Sequence, residues 1–219
     1  MGAKKRGDFM TKDNKKGRFI VFEGIDGSGK STQLELLGKR FEENNISFYE
    51  TREPSNSPMG RLIREFLRGE KKTDNKAIAA LFVSDRLDHL LNEENGLETK
   101  IESGENVICD RYYFSSYAYH SVDMDMDWVI SANSVCADIL KPDVTIFIDI
   151  TPETAMERIS KGRESTELFE TKERLTLVRE KYMEAFDKLK DKENILIIDG
   201  NKSPEEISDE VWSKIKHLF

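Results

Sequence analysis

Cysteine is scarce in this chain, and no apolar run approaches the roughly 18 residues that span a bilayer, so a disulfide-stapled scaffold and a membrane-embedded helical protein are both excluded. Cys109 sits inside the apolar stretch Val107-Ile108-Cys109, and neither it nor Cys136 has CxxC or Cys/His metal spacing. Both read as reduced core thiols rather than a disulfide or a ligand pair, which suits a reducing compartment and leads us to expect a cytoplasmic protein. Positive charge is short as well: 34 Lys and Arg against 42 Asp and Glu leave a formal charge of −8. Nonspecific binding to a nucleic-acid polymer rests on neutralising many phosphates, so any phosphate is expected to be held locally.

The first seventeen residues depart from this balance, with Lys4, Lys5, Arg6, Lys12, Lys15 and Lys16 and almost nothing apolar. They lack the apolar stretch of a signal peptide and read as a disordered, solvated tail; an anion-contacting arm or a targeting segment are the alternatives. Residues 18–219 carry enough apolar sequence for one domain with a full core. Phe19-Ile20-Val21-Phe22 is continuously apolar, as in a strand buried on both faces, and the segment after it carries Leu34, Leu37 and Phe41 at helical spacing. Short runs recur at 47–51, 107–109, 144–150 and 195–198, separated by helical patterns. One such pattern has the stripe Leu175, Val178, Tyr182, Phe186 and Leu189. Another opens with Ser203-Pro204-Glu205-Glu206, which reads as an N-cap, a first-turn proline and a capping-box glutamate. The expected fold is α/β, a five-stranded parallel sheet with helices on both faces. Ligands of such sheets lie beyond the carboxyl ends of the strands, where Glu23 to Ser31, Thr51 to Pro54, Asp110 to Tyr112 and Asp199-Gly200 should converge.

Gly24-Ile25-Asp26-Gly27-Ser28-Gly29-Lys30-Ser31 fits G-x-x-x-x-G-K-[ST] between a strand pattern and a helix pattern, the context that the phosphate loop requires. Its glycines let successive N–H groups turn towards phosphate oxygens, with the positive end of a helix behind them. Lys30 is placed to reach the β- and γ-phosphates of ATP, and Ser31 offers a hydroxyl to Mg2+. A guanine switch would need N-K-x-D, and Asn75-Lys76 and Asn201-Lys202 both lack the aspartate. Arg52 and Arg111, placed beside strand ends, point instead to phosphoryl transfer, which depends on positioning and neutralising charge.

Phe22 to Gln33, Thr51-Arg52-Glu53-Pro54, Leu81 to Arg86, Asp110-Arg111-Tyr112 followed by Ser115-Ser116 and Ala118-Tyr119, and Pro142-Asp143 together resemble the thymidylate kinases. The resemblance runs from Arg18 to the C-terminus. It implies the P-loop NTPase fold with a short flexible lid at about 158–171. It also implies transfer of the ATP γ-phosphate to thymidine monophosphate with Mg2+, in dTTP synthesis, by a homodimer. On this likeness Gly24 to Ser31 and Thr32 bind ATP, Ser31 and Asp110 hold the metal, and Lys30, Asp110, Arg111 and Arg163 are catalytic. Arg52 holds the acceptor phosphate and Arg111 bridges donor and acceptor. Phe82 stacks on the thymine, Arg86 donates to a base carbonyl, Asp26 lies beside the acceptor, and Ser116 and Tyr119 line the pocket. Arg158, Lys161, Gly162 and Arg163 belong to the lid, where the register is open. In the family, lid arginines tend to accompany a phosphate loop that lacks its own arginine, and Gly27 stands at that loop position here. Ser55-Asn56-Ser57-Pro58 replaces the usual two glycines and threonine, and His120 replaces a common glutamine. Another pyrimidine monophosphate as acceptor, a P-loop protein that binds without transfer, and a tail-dependent nucleic-acid binder are the competing readings.

Overall fold

Each apolar run becomes a parallel strand, and the polar residues that end the runs gather on one side. A computed structural model of the chain describes residues 16–162 and 171–219. Among them the sheet has five strands: β1 (Phe19–Glu23), β2 (Phe48–Arg52), β3 (Asn106–Asp110), β4 (Val144–Asp149) and β5 (Ile195–Asp199). All pairs are parallel, in the order β2-β3-β1-β4-β5. The chain therefore leaves β1 towards one edge and later returns to its other side. A crevice opens at that reversal, above the carboxyl end of β1.

The continuous apolar character of β1 follows from two cores. Phe19 and Val21 pack on one face with Leu90, Tyr113, Tyr117, Val178 and Tyr182, while Ile20 and Phe22 pack on the other with Leu34, Leu37, Phe41, Ile207 and Val211. The second face is covered by α1 (Lys30–Glu43) and α9 (Pro204–Ile215). The first is covered by α3 (Asn75–Leu91), α4 (Leu97–Glu102), α5 (Tyr113–His120), α6 (Met126–Ile139) and α8 (Lys172–Leu189), with α2 (Pro58–Leu67) packed on α3. The capping box of α9 forms as its sequence implies: Ser203 Oγ accepts from Glu206 N and the Glu206 carboxylate accepts from Ser203 N.

β2 is an edge strand of mixed polarity, Phe-Tyr-Glu-Thr-Arg, and extends one residue past its apolar run to include Arg52. The tail expected over 1–17 overlaps the described residues at Lys16 and Gly17, and both are tied down. Lys16 pairs with Glu102, and Gly17 N donates to Ile101 O at 2.8 Å. Cys109 and Cys136 are buried free thiols. α7 (Pro152–Gly162) runs up to the lid region. Arg163 and most of the expected lid lie outside the described residues.

Candidate active site

The phosphate loop joins β1 to α1 with little room to spare. Gly27 has φ +78°, and a Cβ there would stand 2.7 Å from Ala155 O, so only glycine fits against α7. Gly29 has φ +96° and is the N-cap of α1. Lys30 follows and is buried, its Nζ donating to Gly24 O at 3.0 Å and Ile25 O at 3.1 Å. Burial and the neighbouring Arg111 guanidinium lower its pKa to about 8. The ammonium is thus poorly compensated by the protein and suited to incoming anionic oxygen. Ser31 Oγ donates to Asp110 Oδ2 at 3.2 Å across the crevice, while Asp110 Oδ1 is buried without a partner among the described residues. A hydroxyl and a carboxylate with an orphaned oxygen fit a hard cation that completes its shell with water and phosphate oxygens.

Beside the loop, Ser28, Gly29, Thr32 and Gln33 line a cavity with Arg158, Gly200 and Lys202. Arg158, one of the expected lid cations, lies on α7 and donates to Ser28 O at 3.3 Å and Gly200 O at 3.0 Å. It therefore straddles the loop and the end of β5, whereas Lys161 faces out and pairs with Glu157. Gly200, rather than Asp199, is the member of its cluster that lines this cavity and meets Arg158; Asp199 accepts from Asn201.

Arg111 occupies the centre. Its φ of +72° is rare for a residue with a Cβ, and such strain, of order 1–3 kcal/mol, persists only where surrounding contacts over-determine it. Those contacts are present. Its backbone N donates to Phe22 O at 2.9 Å, and Nη1 donates to Gly24 O and Ser115 Oγ, both at 3.0 Å. Nη2 meets Asp26 Oδ1 at 2.6 Å, and Tyr119 OH donates to Asp26 Oδ2 at 2.7 Å. Burial would raise the Asp26 pKa, but Arg111 and Lys30 outweigh it and the carboxyl titrates below its ordinary value.

Beneath Arg111 lies Glu23, fully buried at the end of β1. It accepts from Tyr112 N, Ser115 N, Ser115 Oγ and Tyr182 OH at 2.6–3.0 Å. Its desolvation raises its pKa despite Arg111. The only trace of this in the sequence is a charged residue closing an apolar run. Tyr182, on α8, gives no sign of it, because 159 positions separate the two.

A second cavity, of about 130 Å³, is lined by Asp26, Arg111, Ser116, Tyr119, Phe82 and His120, with Glu53, Pro54, Leu67 and Ser115. Arg52 does not line it. Arg52 is exposed, its side chain has no hydrogen bond or ion pair among the described residues, and it lines a neighbouring cleft with Ser31, Asn56 and Asp110. Arg86 is not among the lining residues either. It is 1% exposed, with Nε and Nη2 on Glu53 Oε2 at 2.8 and 2.6 Å and Nη1 on Ser116 Oγ and Asn133 Oδ1. The structure therefore sets Arg86 one layer behind Ser116 and Glu53, instead of leaving it open towards a base as its spacing from Phe82 suggests. Burial opposes its charge, but the Glu53 carboxylate prevails and raises its pKa. The unusual Ser55-Asn56-Ser57-Pro58 loop is pinned by Asp85, whose carboxylate accepts from Ser55 N, Ser55 Oγ and Ser57 Oγ at 2.6–2.7 Å.

A glycine loop delivering lysine and serine to a helix start, a carboxylate facing that serine, and an arginine joining the loop to a second cavity together define a P-loop phosphotransferase. Comparison with known proteins carries the assignment further. The family model described as thymidylate kinase matches residues 22–211, and the chain belongs to that family. It is 41% identical over 204 residues to a probable thymidylate kinase of Methanocaldococcus jannaschii, covering 91% of this chain and 96% of that one. It is 40% identical over 202 residues to a probable thymidylate kinase of Methanococcus aeolicus, covering 90% and 95%. With a thymidylate kinase of Leptospira borgpetersenii it shares 38% over 192 residues, covering 88% and 90%.

Proposed function

We propose that this protein transfers the γ-phosphoryl group of ATP to the 5′-phosphate of thymidine monophosphate, forming ADP and thymidine diphosphate. The observation that carries this reading is the placement of Arg111, which touches the phosphate loop at Gly24 O and lines the acceptor cavity beside Asp26. Its guanidinium is held where charge spreads over the moving group, and stabilisation of that charge is the main source of catalysis in phosphoryl transfer. Lys30 exchanges the carbonyls of Gly24 and Ile25 for donor phosphate oxygens, which restores its countercharge. An oxygen of the acceptor phosphate attacks the γ-phosphorus as the bond to the β-phosphate oxygen breaks. Arg52, whose side chain is free of protein partners among the described residues, holds the acceptor phosphate from the neighbouring cleft. Ser31 and Asp110 are the residues that would hold Mg2+, which would neutralise phosphate charge.

In the acceptor cavity Phe82 offers an apolar face to the base, and Ser116, backed by Arg86, offers a hydroxyl. Tyr119 stays a phenol, its pKa raised by burial, and with Asp26 it borders the sugar. Arg158 lies over the loop from α7, where its guanidinium adds positive charge beside the donor phosphates. The protein works as a homodimer. Trp128 and Val135 on α6 and Leu91 on α3, which packs against α6, are large apolar side chains 45–54% exposed, and a second copy would cover them. No helix among the described residues is long and apolar enough to cross a membrane, and the two free thiols suit a reducing, cytoplasmic setting.

The test compares initial rates with thymidylate, deoxyuridylate, cytidylate and adenylate as acceptors, with ATP and Mg2+ saturating. Thymidylate should have the highest kcat/KM. A preference for adenylate would overturn the acceptor assignment, and thymidylate binding without any diphosphate would replace the kinase by a binding protein.

A further inference from the structure

Arg86 and Arg111 each lie beside a buried glutamate, and the two contacts differ. Arg86 meets Glu53 directly, at 2.6 and 2.8 Å, with only 1% of its side chain exposed. Arg111 keeps 17% of its side chain exposed, and among the described residues it has no hydrogen bond or ion pair with Glu23. The hydroxyls of Ser115 and Tyr182 stand between them.

The protons on that glutamate leave little choice. Glu23 Oε1 accepts from Tyr112 N at 2.8 Å and Ser115 N at 3.0 Å, while Oε2 accepts from Ser115 Oγ at 2.6 Å and Tyr182 OH at 2.8 Å. Four donors fill the lone pairs of a carboxylate. With both hydroxyl protons committed to Glu23, the oxygens that carry them are left to accept, and Arg111 Nη1 donates to Ser115 Oγ at 3.0 Å and to Tyr182 OH at 3.4 Å. Nη1 has two hydrogens for three acceptors, because Gly24 O also lies at 3.0 Å, and Tyr182 is the most distant of the three. Tyr182 therefore acts on the guanidinium chiefly through Glu23 and Ser115, whose Oγ is 2.9 Å from its own hydroxyl.

In the sequence Tyr182 is one member of an apolar stripe, and its ring does pack as such. It is fully buried, with the rings of Phe147, Phe186 and Tyr119 at 4.8, 5.8 and 6.4 Å. Phenylalanine would fill that place equally well, so packing does not account for the hydroxyl. Burial raises its pKa well above the ordinary value, and it stays a phenol. On the Nη1 side the two hydroxyls orient Arg111 while keeping the Glu23 charge one layer away, so the guanidinium is aimed without being neutralised there as Arg86 is.

We propose that Tyr182 is a positioning residue for phosphoryl transfer, its hydroxyl fixing Glu23 and Ser115 so that they hold Arg111 between the phosphate loop and the acceptor cavity. This rests on the transfer reading given above.

The experiment measures the single-turnover rate of thymidine diphosphate formation with ATP and Mg2+, together with calorimetric Kd values for ATP and thymidylate. The variants are Tyr182→Phe, Tyr182→Met, Ser115→Ala and Ser115→Ala/Tyr182→Phe. Two hydroxyl-free replacements of Tyr182 are included so that one that fails to fold does not decide the outcome. Tyr182→Phe keeps the ring and should slow transfer about tenfold, the yield of one hydrogen bond to a charged network, with both Kd values within about twofold of wild type. Because the two hydroxyls serve one guanidinium, the double variant should lose clearly less than the product of the single losses. An unchanged rate without the Tyr182 hydroxyl, a loss that appears only as weaker substrate binding, or losses that multiply in the double variant would overturn the role of Tyr182 and leave the transfer reading standing. Failure of wild type to form any thymidine diphosphate would overturn both.

Discussion

Replacing Arg86 with methionine should cost this protein much of its stability, and the structure says why. Arg86 and Glu53 are a buried ion pair, their side chains 1% and 2% exposed, joined by contacts of 2.6 and 2.8 Å to one carboxylate oxygen. The guanidinium also reaches Asn133 and Ser116 and lies over the Tyr112 ring at 5.3 Å. Methionine fills most of the stem volume, so the chief consequence of Arg86→Met is a carboxylate left in the core without its countercharge. Breaking a buried pair from one side costs about 3–5 kcal/mol, against a total stability of about 5–15 kcal/mol. At about 2–4 °C per kcal/mol for a chain of this size, Tm should fall by about 6–20 °C. Urea denaturation should show the midpoint shifting with the slope unchanged. The double variant Glu53→Gln/Arg86→Met leaves neither charge orphaned and should recover a large part of the loss. A single-variant cost below about 1 kcal/mol, or a double variant losing the sum of the two singles, would refute the reasoning.

Three further outcomes follow from the site. The folded pKa of Lys30 is about 8, below its ordinary 10.5, so between these values the unfolded chain binds the proton more tightly and stability rises with pH. Wild type should therefore gain up to about 3 kcal/mol on Lys30→Met between pH 8 and 10.5, and a difference that stays constant across that window would count against it. Asp110→Asn keeps the shape facing Ser31 but removes the charge beside the orphaned oxygen, so the Mg2+ concentration giving half-maximal turnover should rise at least about tenfold; an unchanged requirement would remove Asp110 from the metal site. Tyr119→Phe removes the hydroxyl that meets Asp26 Oδ2 at 2.7 Å and Arg111 at 3.3 Å. It should lower kcat/KM for thymidylate about tenfold and leave ATP affinity alone, as a loss of about one charge-assisted hydrogen bond would.

Features that depend on neighbouring residues were legible in the amino-acid order. The phosphate loop is eight consecutive residues whose glycines set the backbone and whose Lys30 and Ser31 begin the next helix, so the string and the structure are nearly the same statement. The buried strands announced themselves because β1 packs on two cores and tolerates no alternation, and α9 because Ser203 and Glu206 cap it locally. The edge strand β2 was blurred, since one-sided burial leaves Glu50 and Arg52 among its apolar residues.

Tertiary structure alone decided which charges are spent and which are available. Arg52, Arg86 and Arg111 look alike in sequence, yet one is exposed and unpaired among the described residues, one is buried against Glu53, and one is held at positive φ between two cavities. Likewise His89 and His120 differ only in what surrounds them. The reason is one of range: a backbone loop is shaped by torsions within a few residues, whereas the state of a charged side chain is set by desolvation and by partners brought from β2, α5, α6 and α8, which only packing brings into contact. The phosphate loop could be read before the fold was known, and the acceptor site required the fold.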